Sequence, residues 1–211
     1  TALHYGIAYG WYFCVRLLIE AGANVNCVNS WQTTCLAAGF LKGHYGICDY
    51  LLTDHHVNIN FKTDDGLTLV MLTVGLDVSS SSVQQLDYVV TKHKADCTCI
   101  DSNGNNAFHY LASNISGQNI HYEKSEDEKA HHDNFFQIAQ VLFDHECEPN
   151  KLNNKAQSAL MIALEAGNFL LVDYLINKAK VEINPDVSHD GKNLLHYFAI
   201  KCDEYDLIQT L

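Results

Sequence analysis

Apolar residues in this chain come in short clusters, each opened by a small polar residue and followed by a second cluster farther along. In the first unit Thr1 precedes Leu3, and Val15, Leu17 and Leu18 then show the spacing of one helix face. Two short helices sharing a single apolar side are predicted. Thr1 and its counterparts, with Asn106 and Asn193 as chemical equivalents, are expected to cap the first helix of each pair, where a side-chain oxygen accepts a bond from an otherwise unpaired N–H. Leu3, Leu36, Phe108, Leu160 and Leu195 follow the caps and are expected to point into a core. The pairs Asp65-Gly66, Asn103-Gly104 and Asp190-Gly191 supply the positive φ angles of tight turns and mark projecting tips between helix pairs.

The units recur with a fixed period. Thr1 to Thr34 is 33 residues and Thr34 to Thr68 is 34. Further copies open at Asn106-Ala107-Phe108-His109, at Ser158-Ala159-Leu160 and at Asn193-Leu194-Leu195-His196. One such helix pair cannot bury its apolar side alone, so it must dock on the pairs before and after it. Thr1-Ala2-Leu3-His4, Gly10, Val15-Arg16-Leu17-Leu18-Ile19 and Ala21-Gly22-Ala23-Asn24-Val25-Asn26 together resemble the ankyrin-repeat pattern T-P-L-H, G-H, V-V-x-L-L-L, G-A-D-x-N. The resemblance covers essentially the whole chain in six copies, starting near residues 1, 31, 65, 103, 155 and 190. It implies one domain over 1–211, an all-α solenoid of stacked helix-turn-helix units with hairpin loops, its first and last units incomplete.

Two copies depart from the pattern. The third has Leu69-Val70-Met71 where the family has P-L-H, and the Ser79–Ser82 run is expected to interrupt its middle. The fourth is stretched, since Asn106 lies 52 residues before Ser158. Its excess is read as a polar loop over Asn114–Asn134, first as a disordered insertion and otherwise as an extra partner contact or a regulatory site. Within it Ser125-Glu126-Asp127-Glu128 resembles an acidophilic kinase target.

The formal net charge is −12, from 25 acidic and 13 basic residues, which repels nucleic acid and anionic lipid and is read first as a source of solubility and otherwise as attraction for a basic partner segment. The eight cysteines are spread through a chain large enough to form a core without staples and are read as reduced. No leader, lipidation signal or apolar run of about 18 residues is present. A piece of a longer cytoplasmic or nuclear protein, without direct membrane insertion, is expected.

Candidate chemistry changes this picture little. Cys97-Thr98-Cys99, His55-His56 and His131-His132 lack zinc-finger spacing. His4, His109 and His196 occupy the T-P-L-H position, where the family's ring bonds neighbouring backbone, and His44 follows Gly43, so neither metal nor cofactor is expected. No phosphate-cradling loop or nucleophile motif appears, and the chain is not expected to be an enzyme. Asn114-Ile115-Ser116 fits a glycosylation pattern that a reduced intracellular protein would not use. Leu18 and Asn26 resemble a hydroxylation target of ankyrin arrays, though a turn role for Asn26 is the primary expectation.

The resemblance implies that a partner protein or peptide, attracted if basic, lies along a concave face made by the tips and first helices. The residues expected to bind it are Tyr5, Tyr9, Trp31, Leu41, Lys42, Asp64, Asp65, Asn103, Tyr110, Asn154, Glu165, His189 and Tyr197, with Trp31 foremost. The alternative is the substrate-recruiting arm of a larger enzyme of ADP-ribosyltransferase, kinase or ubiquitin-ligase type. A third reading is the excised cytoplasmic region of a membrane scaffold or channel.

Overall fold

The computed structural model describes residues 1–30, 33–76, 80–114, 126–181, 188–189 and 191–201. Helix pairs follow one another as expected: α1 (Ala2–Ala8) with α2 (Tyr12–Glu20), α3 (Cys35–Leu41) with α4 (Tyr45–Thr53), and α5 (Leu69–Leu76) with α6 (Ser80–Asp87). Then come α7 (Ala107–Ala112) with α8 (Glu126–Asp144), α9 (Ala159–Ala166) with α10 (Phe169–Asp173), and α11 (Leu194–Lys201). After α6 and α10 the chain widens into one π-helical turn, Tyr88–Lys92 and Tyr174–Lys178.

Each first helix starts where the sequence places a cap. Thr1, Thr34, Thr68, Asn106, Ser158 and Asn193 each accept a bond from the backbone N–H three residues on, at 3.1–3.4 Å. The tips are also built by one repeated device. Asn29, Thr63, Asp101 and Asn153 each donate their N–H to the carbonyl four residues later, while their side-chain oxygens accept that residue's N–H. The last tip is a two-stranded ribbon, β1 (Ser188–His189) against β2 (Lys192–Asn193).

The first helices pack in series, α1 on α3, then α5, α7, α9 and α11, while α6 packs on α8 and α8 on α10. One continuous apolar core runs from Leu3 to Phe198. It forms because every pair leaves an apolar side that only its neighbours can cover.

Four expectations need correction. Leu195 is half exposed and Leu194 is buried instead. The Leu-His side of a first helix faces the following tip, as the bond from His4 to the Thr33 carbonyl shows, and among the described residues nothing stacks beyond α11. Leu17 points outward from α2, and Val15 is the buried member of that cluster. Ser80 starts α6 and Ser82 is buried, so 80–82 of the serine run open a helix, while Ser79 lies outside the described residues. Finally, α8 begins at Glu126, which makes 126–134 helical where a loop was expected. Residues 115–125, including Ser125, lie outside the described residues.

Candidate functional site

The tips of the fourth and fifth repeats and the first helices behind them enclose a groove of about 510 Å³. Behind its lining stands Asp101, a buried carboxylate at the base of the fourth tip. One oxygen accepts the N–H groups of Asn103 (2.8 Å) and Asn105 (2.7 Å). The other accepts the Asn105 side-chain amide (3.0 Å) and the Tyr110 hydroxyl (2.7 Å). Burial by itself raises the Asp101 pKa, but the donors of Tyr110, Asn105 and Asn103 outweigh it and hold the carboxyl below its ordinary value. Burial, then the facing carboxylate, pushes the Tyr110 phenol up.

The fifth tip is clamped onto the fourth. Asn154 donates its N–H to the Asn103 carbonyl (2.8 Å) and its side-chain amide to the Ser102 carbonyl (3.0 Å). The Asn153 amide reaches the Asn105 side-chain oxygen (2.9 Å). Gly104 permits this approach, having φ +78° and a position where a Cβ would stand 2.6 Å from the Asn154 side chain. Behind the tips the Asn106 N–H donates to His109 Nδ1 (3.2 Å), so Nε2 carries the proton and donates to the Gln157 carbonyl (3.1 Å). Burial lowers the His109 pKa in spite of that bond, which leaves a neutral ring as a strut between repeats.

Asn103, Tyr110, Asn154 and Glu165 of the expected residues meet in this groove. Asn105, Ser113, Asn153, Gln157 and Ile162 also line it and were missed, because amides at tips read as turn formers. The i,i+4 pairs 101/105 and 153/157 were the available signal. Asp64 and Asp65 are exposed on the third tip, where the Asp65 carbonyl accepts the Ser102 N–H (3.0 Å). Lys42 is exposed and Leu41 half-buried at the end of α3. Trp31 lies outside the described residues, as does the side chain of His189.

Tyr197 corrects the list, being buried at 6% exposure. Tyr5, Tyr110 and Tyr197 share one repeat position, just after the motif histidine. That position faces the preceding first helix: Tyr110 lies over Gly75 of α5, and α11 packs on α9. Tyr5 has no described helix before it and is 65% exposed. Tyr9 is also exposed and stacks on Trp11 at 5.2 Å, and Trp11, Phe13 and Leu17 are exposed apolar residues that the list of expected contacts leaves out.

Of the candidate ligand pairs, Cys97 is buried and Cys99 donates to the Asp96 carboxylate (3.4 Å). Among the described residues three metal-ligating side chains converge at one place, His4, Cys27 and Cys35. Asn114 is buried and donates to the Val74 carbonyl (3.1 Å), which is no place for a glycan. The Asn26 N–H is held by the Asn24 side chain (2.9 Å), a turn repeated at Asn58–Asn60 and Asp96–Thr98. No described helix is long and apolar enough to cross a membrane.

Residues 129–211 match a family described as ankyrin repeats in three copies, and residues 3–52 match one described as ankyrin repeats in many copies. The chain is 29% identical over 187 residues to the Caenorhabditis elegans protein named poly [ADP-ribose] polymerase tankyrase, a match covering 84% of this chain and 8% of that one. It is 27% identical over 113 residues to neurogenic locus notch homolog protein 1 of Mus musculus, covering 54% of this chain and 4% of that one. This chain therefore spans a small fraction of either relative's length.

Proposed function

Because the chain belongs to the ankyrin-repeat family, whose repeats mediate protein–protein interaction, we propose that it holds an extended segment of a partner protein in the groove between its fourth and fifth repeats. The observation that carries this reading is the wall of side-chain amides, Asn103, Asn105, Asn153, Asn154 and Gln157, fixed by the Asp101 carboxylate and the clamp between tips. Amides both donate and accept, so they match a peptide main chain, and a wall held in place beforehand loses little entropy on binding. Ile162 offers an apolar contact and the exposed Glu165 a counter-charge for a cationic partner residue, in keeping with the net charge of −12. Asp64, Asp65, Lys42 and Tyr5 extend the contact toward the first repeat.

A second reading has one observation in its favour, the similarity to the Caenorhabditis elegans tankyrase over 84% of this chain. In that reading the groove recruits a substrate for an ADP-ribosyltransferase domain elsewhere in a longer chain. It shares the same site and differs in what happens to the bound segment.

The test is affinity. Peptides selected from a random library against the whole chain are expected to be enriched in Lys and Arg and to lose roughly 10-fold or more in affinity for Glu165→Lys, about 1.4 kcal/mol. Selected peptides that bind Glu165→Lys as well as the parent would place recognition elsewhere.

A further inference from the structure

His4, Cys27 and Cys35 come from three places in the sequence, the start of α1, the loop after α2 and the start of α3, yet their side chains meet. The Cys27 and Cys35 sulfurs are 3.5 Å apart, and His4 Nδ1 is 3.8 Å from the first and 3.6 Å from the second. We propose that this triangle is a binding site for a thiophilic cation, zinc(II), which joins the first repeat to the second.

Three features support the assignment. First, a tetrahedral zinc with bonds of about 2.3 Å to sulfur and about 2.05 Å to nitrogen sets its ligands about 3.8 Å apart for sulfur–sulfur and about 3.6 Å for sulfur–nitrogen. The observed edges lie within a few tenths of an ångström of those values. Second, Nδ1 of His4 is unprotonated and lies 3.6 Å from the Cys35 sulfur, which is 3.8 Å from Nε2 as well, so the ring must turn to aim its lone pair at the cation, and Nε2 carries the proton that it donates to the Thr33 carbonyl at 2.9 Å. This is the outer-sphere bond that orients a metal-binding imidazole. The Thr1 hydroxyl, 2.8 Å from Nδ1 and 3.6 Å from the Cys27 sulfur, stands on the exposed side, where it or a water supplies the fourth ligand.

Third, the repeat itself does not require these thiols. The bridges Val28–Thr34 and Leu152–Ser158 align the second tip with the fifth, which puts Cys27 opposite Lys151 and Cys35 opposite Ala159. His109 makes the same backbone bond at that junction with no sulfur at either place. The cysteine pair is therefore an addition to the shared architecture at one junction. A disulfide is the competing use, but it needs the sulfurs at about 2.05 Å. Binding releases the two thiol protons to solvent as both sulfurs become thiolates, with no change in oxidation state.

The test uses the whole chain, reduced and metal-free, titrated with Zn²⁺ against a chromophoric chelator and separately with Co²⁺. One equivalent of zinc per chain, a thiolate-to-cobalt charge-transfer band, and loss of both in Cys27→Ser are expected. Cys27 is only half-buried, and circular dichroism checks that the variant is folded. The exposed Cys14→Ser serves as the control that keeps full binding. No uptake by the parent chain, uptake undiminished in Cys27→Ser, or a Cys27–Cys35 disulfide formed in air by a chain whose reduced form takes no metal would each overturn the assignment.

Discussion

Replacing Asp101 with Asn keeps the shape of the fourth tip and removes its charge. The carboxylate accepts four bonds, at 2.7–3.0 Å, and is nearly inaccessible to water. A carboxamide turned to keep its oxygen on the Asn103 and Asn105 N–H groups sets its own NH₂ against the Asn105 side-chain NH₂, two donors face to face. The other rotamer opposes an NH₂ to two backbone N–H groups. Either way one or two charge-assisted bonds, each about 1.5–3 kcal/mol, are lost and the rest are weakened. The expected cost is about 2–4 kcal/mol, a fall in Tm of roughly 5–15 °C for a chain of this size. Thermal and urea unfolding measure the total, and hydrogen exchange at Asn103 and Asn105 shows whether the loss sits at the tip. A cost below about 1 kcal/mol, or unchanged exchange there, would refute the view that this carboxylate organises the groove.

The same group sets a pH dependence. Since the folded carboxyl has a lowered pKa, the folded state binds fewer protons, and the contribution is full above the unfolded value of about 3.9 and is lost as pH falls through the folded pKa. Acid titration of Tm should therefore show a steeper fall below about pH 4 for the parent than for Asp101→Asn. Leu160, buried in α9, should cost about 2–5 kcal/mol as Leu160→Ala by urea unfolding, through lost burial and a cavity. Gly104→Ala combines a left-handed φ with a collision at Asn154, so it should cost more than about 1 kcal/mol and speed exchange at Asn154, whose N–H is held by the Asn103 carbonyl.

Local features were legible in the sequence and relational ones were not. All six caps could be named from single residues because a cap bonds the helix it starts. Exposure at a repeat position depends on the neighbour, so Tyr5, Tyr110 and Tyr197 look alike in sequence and end exposed, half-buried and buried. Leu194 and Leu195 were confused for the same reason at the other end of the array. The helix from Glu126 was hidden by charged residues that also suit a loop. Four groove residues, Asn103, Tyr110, Asn154 and Glu165, were anticipated from tips and first helices, but the amides between them resemble ordinary turn formers. His4, Cys27 and Cys35 could not be grouped, since their spacing fits no ligand motif and only the stacking of two repeats brings them together.

The most direct test of groove recognition is hydrogen exchange of the whole chain with and without a library-selected peptide. Slowed exchange centred on Asn103–Ser113 and Asn153–Glu165 is the predicted result. Protection centred instead on Trp11–Leu17, with these two segments unchanged, would contradict it.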